Sequence, residues 1–312
     1  MTKKILITGG AGFIGSNYAC RRILNGDEVT IFDNLSRDGA KENLQWIASS
    51  INGKPFQFVE GDVRDFNKLK ETVEKKDIIV HLAAQVAVTS SVNDPQFDFN
   101  VNAGGTFNVL ESARQCENNP IIIYASTNKV YGEIEGIEVK EDKSRYSFEQ
   151  LPLGISEKQL LDFHSPYGCS KGCGDQYVRD YSRIYNIPTV VFRQSCIYGT
   201  RQFGIEDQGW VAWFVIAAVL GKQVSIYGDG KQVRDLLFIN DLLNVYDLAI
   251  EKIDKAQGQI FNIGGGIENS ISIWKEFGPI LEKIHGKNIP IEIKGWRPGD
   301  QKIYISDISK AK

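Results

Sequence analysis

Tyr167 and Lys171 are the residues of this sequence whose types and spacing are best suited to chemistry. Residues four apart on a helix lie on one face, so a phenol and an ammonium at these positions can act as one acid/base unit. A phenol normally has a pKa of about 10, and a neighbouring ammonium favours the phenolate. The pattern predicts proton exchange with a sugar or alcohol hydroxyl. The alternative is an amphipathic helix that carries both residues by chance, so partners elsewhere in the chain must decide.

A second segment carries hydroxyls that could join this pair. Residues 126–132 read Ser-Thr-Asn-Lys-Val-Tyr-Gly and follow the short apolar run 121–124, which is typical of a strand. In a parallel sheet the carboxyl ends of the strands share one edge, and ligands bind there. We therefore expect the hydroxyls of this segment to meet Tyr167 and Lys171 at that edge.

The elements that must position these residues are short apolar strands separated by segments of helical length. Their continuous hydrophobicity is typical of strands that helices cover on both faces. They lie at residues 5–7, 29–32, 56–59, 78–82, 121–124 and 189–192. We therefore predict an α/β fold with a doubly wound parallel sheet of the Rossmann type, which spans residues 1–193. The less regular residues 194–312 are predicted to form mainly a smaller substrate-binding lobe, with a segment near 236–249 that returns to the core.

Glycines follow the first predicted strand and open a helix. Residues 8–15 read Thr-Gly-Gly-Ala-Gly-Phe-Ile-Gly. Gly9, Gly12 and Gly15 therefore stand where a tight turn, a bound pyrophosphate and helix packing leave no room for a side chain. The N–H groups of the helix N-terminus then face the phosphates. This arrangement predicts a dinucleotide-binding site.

Asp33, at the end of the second predicted strand, indicates which dinucleotide is bound. A carboxylate there accepts hydrogen bonds from the adenosine ribose hydroxyls and repels a 2′-phosphate. The sequence therefore predicts NAD rather than NADP. Arg37 is the reservation, since its positive charge could offset that repulsion.

Further cofactor contacts are expected at the ends of the third and fourth strands, by position alone. Residues 61–63 follow the third strand, where adenine is expected, and residues 82–85 follow the fourth, near the centre of the cofactor. His81 lies inside an apolar run and is interpreted as a packing residue rather than a catalyst.

Composition argues against several classes of function. The 312 residues carry 36 Lys and Arg against 39 Asp and Glu, and the formal net charge of -3 gives no broad basic field for nucleic acid or anionic membranes. The longest apolar run, residues 209–221, is too short to span a bilayer and is predicted to be a buried helix. The N-terminus lacks a signal-peptide pattern. The 5 cysteines lack the spacing of zinc sites, so we expect reduced thiols, no metal and a cytoplasmic protein.

Nearly the whole chain resembles the extended short-chain dehydrogenase/reductase family, and specifically its NAD-dependent nucleotide-sugar epimerases and dehydratases. The resemblance is carried by residues 8–15, 102–106, 126–132, 165–172 and 297–300. It implies that Tyr167 is the acid/base, that Lys171 binds the nicotinamide ribose and lowers the pKa of Tyr167, and that Thr127 hydrogen-bonds the reacting hydroxyl. Chains of this family usually continue past the equivalent of residues 307–312 with a further helix, so a longer protein stays an alternative.

The predicted site residues fall into three groups. The predicted catalytic residues are Thr127, Tyr167 and Lys171. The predicted cofactor-binding residues are Gly9, Gly12, Phe13, Ile14, Gly15, Asp33, Asn34, Asp62, Val63, Leu82, Ala83, Ala84, Gln85, Asn102, Tyr167 and Lys171. The predicted substrate-binding residues are Thr127, Asn128, Arg201, Gln208, Arg234, Arg297 and Asp300.

Asn128 and Lys129 argue against dehydration. Sugar 4,6-dehydratases of the family carry an Asp and a Glu there, which protonate the leaving hydroxyl and remove a ring proton. An amide and a cationic amine serve neither purpose, and the loss of a general acid or base costs about 10²–10⁴ in rate. Epimerisation needs neither group, because hydride passes reversibly to NAD and the ketone is reduced again on its other face.

Within the epimerases, this sequence resembles those that act on CDP-sugars at carbon 2. The similar segments are residues 165–172, 175–177, 198–203 and 207–210. They imply a CDP-sugar substrate, a transient 2-keto sugar and tightly held NAD. A UDP-sugar 4-epimerase and a net nucleotide-sugar dehydrogenase are the alternatives, although Cys196 departs from the asparagine common in 4-epimerases. A redox-sensing protein without catalysis is a further alternative, for which loss of the Tyr and Lys pair would be expected.

Arginines of the second lobe are candidates for the pyrophosphate of the substrate, because guanidinium groups bind phosphate oxygens in pairs. Residues 228–235 and 297–300 resemble the phosphate-binding segments of the family. The alternative is a surface arginine paired with a nearby acid. Related enzymes associate through helices equivalent to residues 95–115 and 167–185, so a homo-oligomer, dimer or tetramer, is expected.

Overall fold

The computed structural model describes residues 2–134, 136–297 and 300–312. In chain order the strands are β1 (Lys4–Thr8), β2 (Glu28–Asp33), β3 (Gln57–Glu60), β4 (Ile78–His81), β5 (Ile121–Thr127), β6 (Val139–Glu141), β7 (Tyr146–Phe148), β8 (Thr189–Gln194), β9 (Cys196–Tyr198), β10 (Val224–Tyr227), β11 (Val233–Phe238), β12 (Gln259–Ile263), β13 (Ser270–Ser272), β14 (Ile291–Lys294) and β15 (Ile303–Tyr304). The α-helices are α1 (Phe13–Leu24), α2 (Ala40–Ser50), α3 (Phe66–Val73), α4 (Val88–Asn93), α5 (Pro95–Phe99), α6 (Gly105–Arg114), α7 (Ser165–Tyr185), α8 (Trp210–Val219), α9 (Ile239–Glu251), α10 (Ile253–Ala256) and α11 (Phe277–His285). A π-helix covers Asn100–Gly104, and 3-10 turns cover Asn128–Tyr131 and Ile267–Asn269.

Seven parallel strands form the central sheet, in the order β12-β8-β5-β4-β1-β2-β3. All six predicted strands lie in this sheet, so the predicted doubly wound α/β fold is confirmed. The strand order reverses direction between β1 and β4, and at such a point the loops of an open sheet diverge and leave a ligand cleft. The segments at the carboxyl ends of β1, β4 and β5 are therefore brought together at this cleft.

Two apolar layers cover the sheet, because side chains alternate between its faces. Ile5 and Ile7 of β1 pack in one layer with Tyr246 of α9, while Leu6 packs in the other with Val178 of α7. All five side chains have no accessible surface. The continuous apolar runs of the sequence thus reflect burial on both faces, as expected for a parallel sheet.

The chain returns to the central sheet for longer than the sequence indicates. Helix α9 packs against the sheet. Strand β12 then pairs in parallel with β8, from Gln259 beside Val190 to Ile263 beside Gln194. The sequence does not predict this seventh strand, because it has only five residues and two of them, Gln259 and Asn262, are polar.

The second lobe has its own small core. Helix α8 packs Phe214 and Ala217 against Val224 and Ile226 of β10 and Leu281 of α11. Beside it, β10 pairs with β14, while β11 pairs with β9, β13 and β15.

Helix α8 departs in part from its predicted burial. One face packs in the second core, but Val219 keeps 71% of its surface exposed. The prediction from the apolar run is therefore correct for one face only. Among the described helices, none is both long and apolar enough to cross a membrane.

Candidate active site

Tyr167 and Lys171 project from the first two turns of α7, and Thr127 is the last residue of β5. All three side chains are nearly buried, with 9%, 4% and 8% of their surface exposed. The Thr127 side chain hydrogen-bonds the Tyr167 phenol. The backbone N–H of Tyr167 donates to the Ser91 hydroxyl at 3.1 Å, which fixes the start of α7 against α4. The structure thus brings the three predicted catalytic residues together.

Burial controls the protonation of this cluster. It raises the pKa of Tyr167 to about 12, against the opposing effect of the hydrogen bond from Thr127. Burial also lowers the pKa of Lys171 to about 7, although the carboxylates of Asp175 and Asp98 act in the other direction. Desolvation of the phenol therefore outweighs the lowering of the Tyr167 pKa that is expected from Lys171.

The ammonium of Lys171 is held by β5 rather than by the phenol. Its Nζ donates to the Ala125 carbonyl at 2.6 Å and lies 4.3 Å from the centre of the Tyr124 ring. A cation over an aromatic face is attracted by the ring quadrupole. These contacts fix the amine beside Tyr167 at the floor of the cleft.

Asn102 departs from its predicted role as a direct cofactor contact. It is fully buried in the π-helix, and its amide nitrogen donates to the Gln85 carbonyl at 3.0 Å and the Ser170 hydroxyl at 3.1 Å. Its amide oxygen accepts the Gln85 N–H at 2.9 Å. The Ser170 hydroxyl also donates to Asp98 at 2.5 Å. Asn102 therefore positions the loop after β4 and the helix that carries Lys171.

His81 is a packing residue, as the sequence analysis interpreted it. It is 2% exposed, and burial lowers its pKa to about 3, so the ring is neutral. Its Nδ1 lies 2.7 Å from the Thr8 hydroxyl and its Nε2 lies 3.0 Å from the Thr106 hydroxyl. Because the Thr106 hydroxyl donates to the Asn102 carbonyl at 2.6 Å, it accepts from Nε2, and the ring ties β4 to the π-helix.

The glycine-rich loop after β1 forms a cradle that excludes side chains. Gly9 has φ +69°, and a Cβ there would stand 2.6 Å from the Ala83 nitrogen. A Cβ on Gly15 would stand 2.4 Å from the Gly9 carbonyl oxygen. The cap residue of α1 is Gly12, whose missing side chain leaves the first N–H groups of the helix to a ligand. The cradle therefore fits the pyrophosphate of a dinucleotide.

The carboxylate of Asp33 is oriented beside this cradle. It accepts the N–H of Ala11 at 3.0 Å and the N–H of Leu35 at 2.8 Å. Partial burial raises its pKa, and these two hydrogen bonds oppose that effect. Asp33 thus stands at the end of β2, where a carboxylate binds the ribose hydroxyls of NAD.

Asp62 and Asn34 form a neighbouring pair. The Asn34 amide donates to Asp62 at 2.9 Å, and the Arg64 guanidinium binds the same carboxylate at 2.8 Å. The hydrogen bonds from Arg64 lower the pKa of Asp62 to about 2. Asp62 is therefore ionised, and both residues face the adenosine end of the cleft.

One cleft of about 1080 Å³ joins these groups, between the carboxyl edge of the sheet and the second lobe. Of the predicted site residues, Asn102 does not line it. Those that line it are Gly9, Gly12, Phe13, Ile14, Gly15, Asp33, Asn34, Asp62, Val63, Leu82, Ala83, Ala84, Gln85, Thr127, Asn128, Tyr167, Lys171, Arg201, Gln208, Arg234, Arg297 and Asp300.

The second lobe lines the cleft with paired charges. Arg234 is nearly buried and donates to Asp300 at 2.8 Å. Arg297 lies 2.9 Å from Asp207, and its guanidinium lies 3.6 Å from the centre of the Tyr227 ring. These pairs hold two planar guanidinium groups in the cleft, where they can reach phosphate oxygens.

Three lining residues were missed or underrated by the sequence analysis. Tyr227 precedes the predicted segment 228–235 by one residue, and its position there was the only signal. Burial and the charge of Arg234 lower the pKa of Lys129 to about 8, and burial raises the pKa of the Cys196 thiol, so that thiol is neutral. Lys129 and Cys196 therefore form the wall of the cleft beside Arg234.

Arg201 and Gln208 line the cleft but contact the cofactor side. The Arg201 Nε donates to Asn43 of α2 at 2.9 Å, and the Gln208 amide oxygen accepts from Arg37 at 2.5 Å. The position of Arg201 therefore argues against the expected contact with the pyrophosphate of the substrate, since its guanidinium also lies over Trp46.

Comparison with known proteins agrees with this site. Residues 5–264 match the family described as NAD dependent epimerase/dehydratase family. The chain belongs to this family. It is 46% identical over 319 residues to CDP-paratose 2-epimerase of Salmonella typhi, across 98% of this chain and 92% of that protein.

Two solved structures are similar to this one. UDP-glucose 4-epimerase of Thermotoga maritima with UDP-glucose matches with a TM-score of 0.82 and 32% identity, across 99% of this chain and 91% of that chain. UDP-glucuronic acid 4-epimerase of Bacillus cereus, in complex with UDP-glucuronic acid and NAD, matches with a TM-score of 0.82 and 30% identity, across 99% and 91%. Together with the fit of the glycine cradle and Asp33, these matches identify NAD as the cofactor.

Proposed function

We propose that this protein epimerises a CDP-sugar at carbon 2, interconverting CDP-paratose and CDP-tyvelose through a transient 2-keto sugar. The observation that carries the proposal is one cleft that joins the Tyr167, Lys171 and Thr127 cluster to the dinucleotide cradle, with Asn128 and Lys129 beside it. The similarity to CDP-paratose 2-epimerase supports the choice of sugar and carbon.

In this proposal Thr127 and Tyr167 bind the hydroxyl on carbon 2 of the sugar. Tyr167 takes the proton when the hydroxyl is oxidised and returns it when the ketone is reduced. Burial alone keeps Tyr167 as the phenol, with a pKa of about 12. In the proposal, the positive charges of bound NAD and of protonated Lys171 favour the phenolate, which accepts the hydroxyl proton. The phenol formed in this way then donates to the keto oxygen. Bound NAD supplies the hydride acceptor and returns the hydride. Lys171, which donates to the Ala125 carbonyl, places the charge of its amine beside the phenol.

The substrate diphosphate is held, in the same proposal, by Arg234 and Arg297. Each guanidinium is already oriented by an acid, Asp300 for Arg234 and Asp207 for Arg297. An oriented guanidinium loses less conformational entropy when it binds phosphate oxygens. Asn128 lies at the sugar end and offers neutral hydrogen bonds, which suits a reaction without elimination.

A UDP-sugar 4-epimerase is the second candidate, and net oxidation of a nucleotide sugar is the third. The structural similarity to UDP-glucose 4-epimerase supports the 4-epimerase as the second candidate. Net oxidation differs from both in its product, because an epimerase returns the hydride and a dehydrogenase accumulates NADH.

The test is incubation of the enzyme with CDP-paratose, CDP-tyvelose or UDP-glucose, followed by chromatographic separation of the sugars and measurement of NADH absorbance. We expect CDP-paratose and CDP-tyvelose to interconvert without accumulation of NADH. Conversion of UDP-glucose alone would support the 4-epimerase, and stoichiometric NADH would support the dehydrogenase. The variant Tyr167→Phe is the matched control for contaminating activity.

The protein is also proposed to be a cytoplasmic homo-oligomer. Apolar side chains on α6 and α7 are exposed beside one another, and the rings of Phe107 and Tyr177 lie 6.0 Å apart with 44% and 47% of their surfaces exposed. Such a patch is typical of a subunit interface. All five cysteines are free, which suits a reducing compartment. Sedimentation that gives only a monomer would contradict the oligomer.

A further inference from the structure

Residues 200–208, here called the crossing loop, leave the second lobe after β9 and lie against the cofactor side of the cleft. The Thr200 carbonyl accepts from the Asn17 amide at 3.0 Å, and Arg201 donates to Asn43 at 2.9 Å. Asn17 belongs to α1 and Asn43 to α2. The loop is therefore anchored at two helices that follow the dinucleotide-binding strands.

Phe203 fixes the crossing loop to the turn that follows β2. A Cβ on Gly39 would stand 2.2 Å from its ring, so the ring lies directly on this residue. Gly39 has φ +83° and is the cap residue of α2. Only a glycine combines that backbone angle with the close approach of an aromatic ring. The turn that carries Arg37 is thus held in register with the loop.

Gln208 meets Arg37 at the end of the crossing loop. The Arg37 Nη2 donates to the Gln208 Oε1 at 2.5 Å. The backbone of Gln208 exchanges two hydrogen bonds of 3.0 Å with Ile205, which presents its side chain from a closed turn. Arg37 lines the cleft together with Asp33, only four residues away in the chain.

Arg37 is the residue whose charge would suit NADP. A nearby arginine accommodates a 2′-phosphate at this position of the fold, whereas the carboxylate of Asp33 repels it. The bond to Gln208 occupies Nη2 and turns this end of the guanidinium toward the crossing loop, so a 2′-phosphate can use both Nη atoms of Arg37 only after that bond breaks. The side chain of Gln208 therefore competes with the 2′-phosphate for Arg37.

We propose that Gln208, a residue of the second lobe, strengthens the preference for NAD over NADP by engaging Nη2 of Arg37, so that Arg37 cannot use both Nη atoms to bind a 2′-phosphate beside Asp33. This inference goes beyond the proposed function, because it concerns the dinucleotide and no sugar. It assigns the crossing loop a role in cofactor specificity in place of the substrate contact expected from the sequence.

The test is competition between the two dinucleotides for the purified protein. The enzyme is incubated with equal concentrations of NAD and NADP until exchange is complete, freed of unbound nucleotide by gel filtration, and extracted for chromatographic quantification. In Gln208→Leu we expect the ratio of bound NADP to bound NAD to rise about tenfold over wild type, which corresponds to about 1.4 kcal/mol. In Gln208→Glu the ratio should fall, because a carboxylate pairs with Arg37.

Two further variants identify the cause. Arg37→Gln in the Gln208→Leu background should return the ratio to its wild-type value. Gln223→Leu, the same substitution at an exposed residue of the second lobe remote from the cleft, should leave the ratio unchanged. A ratio within about twofold of wild type in Gln208→Leu, or a gain that survives the loss of Arg37, would overturn the proposal. Because no sugar is present, this outcome is independent of any failure of the proposed epimerase.

Discussion

The two sides of the cleft recognise their ligands by opposite means. On the cofactor side, Gly9 and Gly12 have no side chains, so that their backbone can approach a pyrophosphate. On the opposite side the chain adds long charged side chains and fixes each with an acid, as in Arg234 with Asp300. The first side depends on shape, which one continuous segment provides. The second depends on pairs that are distant in the sequence, 66 residues apart for this pair.

The largest effect is expected at Tyr167, where the cofactor side and the opposite side of the cleft meet. Replacement with phenylalanine removes the proton donor but keeps the ring, so we expect kcat to fall about 10³-fold. Bound NAD should stay at wild-type stoichiometry, because the cradle is untouched. Steady-state kinetics and nucleotide extraction check this. Loss of NAD together with activity would show that the phenol serves the cofactor side rather than the chemistry.

A substitution of Lys171 tests the cost of burying a charged amine beside Tyr167, where the two sides of the cleft meet. Its pKa is lowered to about 7 in the folded protein, below its value in the unfolded chain, so the unfolded state binds more protons at intermediate pH. The cost of burying the ammonium is therefore complete below pH 7 and disappears as the pH rises toward about 10.

We expect Lys171→Met to stabilise the protein relative to wild type, by about 3 kcal/mol more at pH 6 than at pH 10. Urea unfolding at both values measures this. Lys158→Met, at an exposed position, is the control for the loss of a lysine side chain. A constant difference for Lys171→Met across this range would contradict the burial of a charged amine.

The shape of the cofactor side is tested by Gly9→Ala. The added Cβ meets the Ala83 nitrogen at 2.6 Å and disfavours the backbone angle of φ +69°. We expect about a 10²-fold loss of NAD affinity, about 2.7 kcal/mol, with little change in the affinity for the sugar nucleotide. Titration calorimetry with each ligand separates the two. Gly53→Ala also has a positive φ but open surroundings, so it controls for backbone strain.

The paired side is tested by Arg234→Gln. Loss of this guanidinium should raise KM for the nucleotide sugar about tenfold and leave NAD content unchanged, because its partner Asp300 belongs to the second lobe. Arg297→Gln should have a smaller effect, since its side chain is more exposed than that of Arg234. Equal effects of both variants would contradict the ranking by burial.

The same contrast explains how much could be predicted from the sequence. The first strands, the glycine-rich loop and Asp33 follow one another closely in the sequence, and backbone geometry sets their spacing. The fold and the cofactor side of the cleft could therefore be predicted from the sequence. The contacts of Arg201 and Gln208 were not, because they join residues about 160 positions apart or more. The burial that sets the pKa of Tyr167 is likewise a property of the packed fold.

Asn102 shows the limit of a short motif. Its sequence neighbourhood indicated the correct region, but its amide turns inward to Gln85 and Ser170. The π-helix places it there, since one additional residue per turn rotates every following side chain. No pattern of apolar residues reports such a change of pitch, so the residue was assigned to the ligand instead of to its support.

The position of strand β12 in the chain has a consequence for folding during synthesis on the ribosome. Its partner β8 ends at Gln194 and β12 begins at Gln259, so the edge of the central sheet stays open while the intervening residues are synthesised. An open edge of Val190, Val191 and Phe192 is a template for pairing with other nascent chains. The first part of the second lobe, from β9 to β11, is therefore made during the interval in which this edge is open to aggregation. The central sheet is completed only by β12, which follows the first part of the second lobe in the chain.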